Sequence, residues 1–150
     1  MTTKGKFLHL ITVADLKQKI RHKNEAKVFT LRTAEDELLN TKDRFFRAVN
    51  HSLPLDPPDV THVWDALEDS LFHGLLDSGQ KYIEIIWPFA DDAAASSALL
   101  VINIVKFFHR VAESIYDEDD PHRNCSLSLY LVCSNEKSKE RLKLELWNFL

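Results

Sequence analysis

Three carboxylates stand close together in the segment Val63–Leu71, and their spacing is the feature of this sequence most able to do chemistry. On a helix, residues three and four positions apart are neighbours, so Asp65, Glu68 and Asp69 would share one face. Like charges at that spacing repel each other by about 0.2–0.5 kcal/mol per pair. No Lys or Arg occurs among residues 48–80 to compensate them. We interpret this face as an acidic surface that recognises a basic partner.

The same acids admit two other interpretations. Acids near a helix start complement the helix dipole, so a solvated first turn would explain them without any partner. Asp65 and Asp69 could also serve as the acid and base of an enzyme, because two close carboxylates can have widely separated pKa values. Such catalysis needs a concave pocket, which a short surface helix beside a proline-rich loop does not indicate. We therefore expect a binding protein and not an enzyme.

Other motifs that carry catalytic or cofactor chemistry are missing from the sequence. Its three glycines form no phosphate-binding loop, and neither His-Glu-x-x-His nor Cys-x-x-Cys occurs. His109 and Glu113 stand one helical turn apart, where a surface pair is expected more often than a metal site. Cys125 and Cys133 are expected to be reduced, largely buried thiols. We predict no metal and no cofactor.

Length and composition indicate one globular domain spanning residues 1–150. Apolar residues make up 45% and charged residues 28%, as in ordinary globular proteins. No apolar run approaches the roughly 20 residues that a membrane helix needs. Because the first residues also lack the apolar stretch of a secretory signal, we expect a cytoplasmic protein that does not contact membranes.

Charge is distributed unevenly along the chain. Residues 1–52 carry 11 basic and 6 acidic side chains, residues 53–120 carry 3 and 14, and residues 121–150 carry 5 and 3. The acidic middle region contains the proposed recognition face. A field of that sign attracts cationic proteins and repels phosphate backbones. The sequence therefore disfavours direct binding to nucleic acid.

Hydrophobic periodicity predicts an α/β fold, with helices packed on a small, mainly parallel sheet that has antiparallel edges. A short helix with Thr12 as its N-cap is expected near residues 13–20, and a long amphipathic helix near residues 98–115. A helix is also expected to end at Asn50, before three prolines. The predicted strands are Val28–Leu31, Tyr82–Trp87, Leu127–Val132 and Leu142–Leu146, with a possible edge strand at Phe7–Ile11.

Two boundaries in this prediction matter below. The acidic helix is expected to run from about Thr61 to His73, with Gly74 placed to terminate it. Leu142, Leu144 and Leu146 alternate with polar residues, which favours an edge strand antiparallel to its predecessor. A C-terminal helix is the alternative, because the spacing of several of these leucines also fits a helix.

The segment Trp64–Leu71, preceded by the proline-rich Leu53–Pro58, resembles the second helix of barstar-like proteins, the intracellular inhibitors of bacterial secreted ribonucleases. The expected order of strands and helices around it also fits that family, and the resemblance covers roughly residues 27–133. It implies that this helix and the loop before it plug a ribonuclease active site. Asp69 would be the central plug and Asp65 the neighbouring contact.

Several positions depart from the family pattern. Glu68 stands where the best-known member has an aromatic residue. Asp59, Val60 and Thr61 stand where members often have a Tyr-Gly-containing loop with an aromatic contact. His73 and Gly74 would lie at the helix end, where a glycine would let a partner's backbone come close. The family also carries an acid on its long helix, and Glu113 is the nearest candidate for it in this sequence. These departures imply a different toxin surface.

The sequence thus predicts a monomeric inhibitor, or immunity protein, that blocks the active site of a basic ribonuclease toxin. The alternative is an interaction module that uses the same acidic helix to bind a basic partner unrelated to toxins.

Overall fold

A parallel sheet flanked by helices forms the framework of the protein, and a computed structural model describes it over residues 6–20 and 26–150. The strands are β1 (Leu8–Thr12), β2 (Lys27–Thr30), β3 (Tyr82–Trp87) and β4 (Ser126–Cys133). The helices are α1 (Val13–Ile20), α2 (Lys42–Ser52), α3 (Trp64–Asp77), α4 (Ala90–Ser96), α5 (Ala98–Ile115) and α6 (Glu136–Glu145), followed by a 3-10 turn at Trp147–Phe149.

The four strands lie in the order β1-β4-β3-β2, and every neighbouring pair is parallel. In the register of the two central strands, Ile85 of β3 lies opposite Leu129 of β4. All but the first residue of β3 is buried, which explains its nearly continuous apolar sequence, since parallel strands are covered on both faces. The α/β class, β3 and the long helix α5 are confirmed.

The two faces of the sheet are covered differently. One face carries Ile83, Ile85 and Leu129 into the main core, where side chains from α2 to α6 pack against it. The other face forms a smaller cluster around Ile86 and Tyr130, to which Leu16 of α1 contributes. The helices that follow β2 and β3 therefore stand on the main-core side, and α3 and α5 meet there.

The predicted C-terminal edge strand is wrong, because residues 136–145 form helix α6. Asn135 caps this helix by accepting a hydrogen bond from the Ser138 amide at 2.9 Å. Leu142 and Leu146, four positions apart, are buried, whereas Leu144 between them is 80% exposed. The leucines thus follow the helical period, and the predicted alternation of burial is not observed. Within the described residues, antiparallel pairing is confined to one isolated bridge between Tyr116 and Asn124.

The predicted end of the acidic helix at Gly74 is also wrong. Helix α3 begins at Trp64 and continues to Asp77, so Gly74 lies inside it. A Cβ at this position would lie 2.0 Å from the carbonyl oxygen of Pro54 and 2.5 Å from its carbonyl carbon. The glycine is therefore required by the chain's own loop, which crosses the helix in direct contact.

We predict that Gly74→Ala destabilises the protein by about 1–3 kcal/mol, the usual cost of overpacking. The sign is informative, because Gly→Ala inside a helix otherwise gains about 1 kcal/mol. Urea unfolding measures the change. Gly79→Ala is the comparison without a steric clash: its Cβ meets nothing within 4 Å, and only the left-handed backbone, with φ +71°, should cost stability, by about 1 kcal/mol. A stabilised Gly74→Ala variant would contradict the close approach of Pro54.

Both cysteines are free and buried, as predicted. Burial raises the pKa of the Cys125 thiol to about 11. Burial, aided by the Asp91 carboxylate, raises the pKa of the Cys133 thiol to about 12. Reactivity requires the thiolate, so the folded state protects both sulfurs.

No helix among the described residues is long and apolar enough to cross a membrane.

The native protein is expected to leave both thiols unreactive toward a chromogenic disulfide reagent at pH 8, and unfolding should expose two. The folded-state pKa values of both thiols exceed the unfolded value of 9.0. The contribution of the protonated thiols to the free energy of unfolding should therefore be fully present below pH 9 and be lost as pH rises above it. Stopped-flow thiol counting and urea midpoints at several pH values measure these effects. Rapid labelling of the folded protein would refute the account.

Candidate functional site

Helix α3 is held in place by an apolar face that packs on α2 and α5. Leu67 and Leu71 are completely buried. Trp64 is half-buried at the start of the helix, with its ring centroid 5.1 Å from that of Phe46 and 5.9 Å from that of Phe107. Trp64 is thus a packing anchor, and the helix direction is fixed before any partner arrives.

The polar face of α3 presents Asp65 and Asp69 to solvent. The Asp69 side chain is 71% exposed, and the His73 ring lies beside it, at 3.6 Å between Nε2 and Oδ1. Among the described residues, no ion pair or hydrogen bond involves the Asp65 carboxylate. These two acids therefore form an open anionic surface on one rigid helix, as the spacing predicted.

Glu68 differs from its two neighbours because an arginine from another helix neutralises it. Arg110 of α5 donates a hydrogen bond from Nε to Glu68 Oε1 at 2.6 Å. The Glu68 side chain is only 27% exposed. The absence of nearby bases in the local sequence suggested three uncompensated acids, but a base 42 residues away compensates one of them. No local sequence signal identifies that pairing.

A groove of about 400 Å³ lies between α3 and α5, and it brings the three predicted acids together. Arg123 closes one side of it, where its Nε donates a hydrogen bond to the Ser114 carbonyl oxygen at 2.7 Å. The guanidinium carbon of Arg123 also lies 6.0 Å from the centre of the Phe72 ring. The groove therefore combines carboxylates on α3 with the guanidinium group of Arg123.

The loop before α3 is held by side chains of α2. The Asn50 side chain donates a hydrogen bond from Nδ2 to the Val60 carbonyl oxygen at 2.8 Å, and its Oδ1 accepts one from the Val60 backbone N–H at 3.0 Å. Lys42 donates from Nζ to the His62 carbonyl oxygen at 2.6 Å. Val60 and Thr61 line a separate cavity on the α2 side of this loop, and they do not line the α3–α5 groove.

Two of the predicted site positions have other roles. Gly74 is buried under Pro54, so a partner's backbone cannot approach it. Glu113 pairs with His109 of its own helix at 3.0 Å and does not line the groove, which confirms the expected surface pair. Within the described residues, no cluster of three or more His, Cys, Asp or Glu side chains is arranged to hold a metal ion.

Comparison with known proteins identifies no relative of this chain. No protein-family model, curated protein or solved structure matches it. The interpretation of α3 therefore depends on its geometry and on the resemblance seen in the sequence.

We predict that Glu68 and Arg110 stabilise the fold by about 0.2–1 kcal/mol as a pair, the range measured for partly exposed ion pairs. A double-mutant cycle with Glu68→Gln and Arg110→Gln, followed by urea unfolding, isolates this coupling. The cycle of Asp65→Asn with Arg110→Gln is the control and should show coupling near zero. Equal coupling in both cycles would mean that Arg110 interacts with the whole face and not with Glu68.

Proposed function

We propose that this protein is an intracellular inhibitor of a basic nuclease, most simply a ribonuclease toxin, and that α3 blocks the nuclease active site. The observation that carries the proposal is the exposure of Asp65 and Asp69 on a helix whose opposite face is fully packed. Neither carboxylate makes an ion pair with a Lys or Arg among the described residues.

A carboxylate on such a helix suits the active site of an enzyme that cleaves RNA. That kind of site holds Arg, Lys and His side chains arranged around a phosphate, and these groups bind a carboxylate through charge-assisted hydrogen bonds. The middle region of the chain, residues 53–120, carries 3 basic and 14 acidic side chains. Its field would accelerate encounter with a basic enzyme and repel RNA.

The resemblance to barstar-like proteins supports the same proposal. Between Lys27 and Cys133 the order of elements is strand, two helices, strand, helices and strand, which agrees with the order that the resemblance implies. In the proposed complex, Asp69 enters the cationic pocket and Asp65 meets its margin. Glu68 contributes at the edge through its pair with Arg110, and His73 lies beside Asp69.

An interaction module unrelated to toxins is the second candidate, and the guanidinium groups around the groove favour it. Arg110 neutralises Glu68, and Arg123 lies across the groove from the acids of α3. A partner that fits this surface could place an acceptor near Arg123 as well as a cation near Asp69. Such a mixed pattern is not restricted to nuclease active sites.

We predict that Asp69→Ala weakens binding to the proposed nuclease by about 2–5 kcal/mol, mainly through faster dissociation, because buried cations of the enzyme lose their partner. Surface plasmon resonance measures both rate constants. Asp77→Ala removes the same charge from the exposed end of the same helix, and it should change binding by less than about 0.5 kcal/mol.

The salt dependence of association provides a second readout of the same experiment. The association rate should fall as ionic strength rises, since charges are screened over about 10 Å at 0.1 M. Equal affinities of Asp69→Ala and Asp77→Ala would refute the active-site plug. The second candidate would be favoured if the wild-type protein binds the nuclease through Asp69 but does not inhibit its activity.

A further inference from the structure

A cavity lies on the α2 side of the loop that precedes α3. Its volume is about 680 Å³, which falls within the range of about 300–1,000 Å³ typical of ligand-binding pockets. The buried Phe46 ring and the half-buried Val60 side chain give it an apolar floor. Ala34, which is exposed, also lines the cavity. Because several lining residues, Asp59 and Thr61 among them, are exposed, a protruding side chain can enter the cavity from solvent.

The loop forming one wall of this cavity is both strained and rigid. Asp59 and His62 have φ values of 61° and 66°, in the left-handed region that residues other than glycine rarely occupy. The two Asn50 hydrogen bonds to Val60 and the Lys42 hydrogen bond to His62 hold the loop in that conformation. Such strain of about 1–3 kcal/mol persists where the surroundings enforce it and is concentrated at functional sites.

The Lys and Arg side chains that line the cavity are already engaged within the protein. Arg47 is already paired with carboxylates, since it lies 3.0 Å from Asp43, beside Glu37, and 3.8 Å from Glu35. The ammonium group of Lys42 is committed to the loop and lies 5.5 Å from the centre of the Phe46 ring.

Asp59 is the carboxylate that remains available at this cavity. Among the described residues, no hydrogen bond or ion pair involves its side chain. The side chain is exposed at the cavity margin. An apolar floor beside a free carboxylate fits a long aliphatic side chain that ends in a cation, because the stem packs while the head remains near the acid.

We propose that this cavity is a second binding site, which receives a lysine or arginine side chain of the partner protein next to the acidic helix. The proposal rests on the proposed function, because the loop that forms the cavity wall leads directly into α3. The partner would therefore be held at two points, with a cationic pocket around Asp69 and a single protruding basic side chain beside Asp59.

The site can be tested on the full chain without the nuclease. The probe is N-acetylarginine amide, titrated to tens of millimolar while backbone amide shifts are followed by NMR. N-acetylcitrulline amide has the same shape without the charge and is the matched control. Asp59→Asn keeps a residue type that tolerates the left-handed region. It should weaken arginine binding about three- to fivefold, as loss of an exposed ion pair does.

We expect the arginine probe to shift the amides of residues 59–62 and the citrulline probe to shift them several-fold less. Ala34→Phe, which fills the cavity from an exposed position, should abolish the shifts. Equal shifts with both probes, no shifts at these amides, or larger shifts with inorganic phosphate would overturn the proposal.

Binding to the nuclease separates this inference from the proposed function. Ala34→Phe should weaken the complex at least tenfold. If Asp69→Ala weakens the complex but Ala34→Phe does not, the second site is refuted and the inhibitor remains. If the arginine probe binds as expected while Asp69→Ala has no effect on the nuclease, the proposed function is refuted and the cavity remains a site for basic side chains.

Discussion

The aromatic contacts among α2, α3 and α5 are the interaction on which the rest of the site depends. The Phe45 ring centroid lies 5.6 Å from that of Trp64 and 5.5 Å from that of Phe107. Phe46 lies 5.1 Å from Trp64. Such pairs contribute about 0.5–1.5 kcal/mol each beyond simple burial. Because Trp64 begins α3 and Phe46 forms the floor of the neighbouring cavity, the same rings determine the direction of the acidic helix and the shape of the cavity. A change in this cluster would therefore alter both candidate contact points together.

Charge on this platform is arranged selectively. A uniformly acidic α3 would accumulate repulsion, and the Glu68–Arg110 pair relieves part of it by joining α3 to α5. Asp65 and Asp69 remain open to solvent, so the remaining repulsion is confined to the positions that a cationic partner would neutralise. The loop before the helix also combines a fixed backbone with an accessible acid, since Asn50 holds its backbone and the Asp59 carboxylate stays available. Because the backbone of α3 and its loop is already held in place, few groups have to be ordered on association, and less conformational entropy is lost.

Local sequence patterns predicted the parts of this fold that local physics determines. The continuous apolar run of β3 and the helical period of α5 correctly identified both elements, and the α3 spacing placed three acids on one face. The failures have a common cause. Leu142–Leu146 satisfies both a strand and a helix period. The structure has the helix, with Asn135 as its cap and with Leu142 and Leu146, one turn apart, both buried. The roles of Gly74 and Arg110 depend on contacts with distant segments, Pro54 and Glu68, that no local pattern contains.

Steady-state kinetics of the nuclease in the presence of this protein tests the central claim most directly. If α3 occupies the active site through Asp69, inhibition must compete with RNA. The apparent KM should then rise with inhibitor concentration while kcat stays constant, and the effect should be relieved by saturating substrate. A fall in kcat with an unchanged KM, or full inhibition that persists at saturating RNA, would place the protein outside the active site and contradict the account.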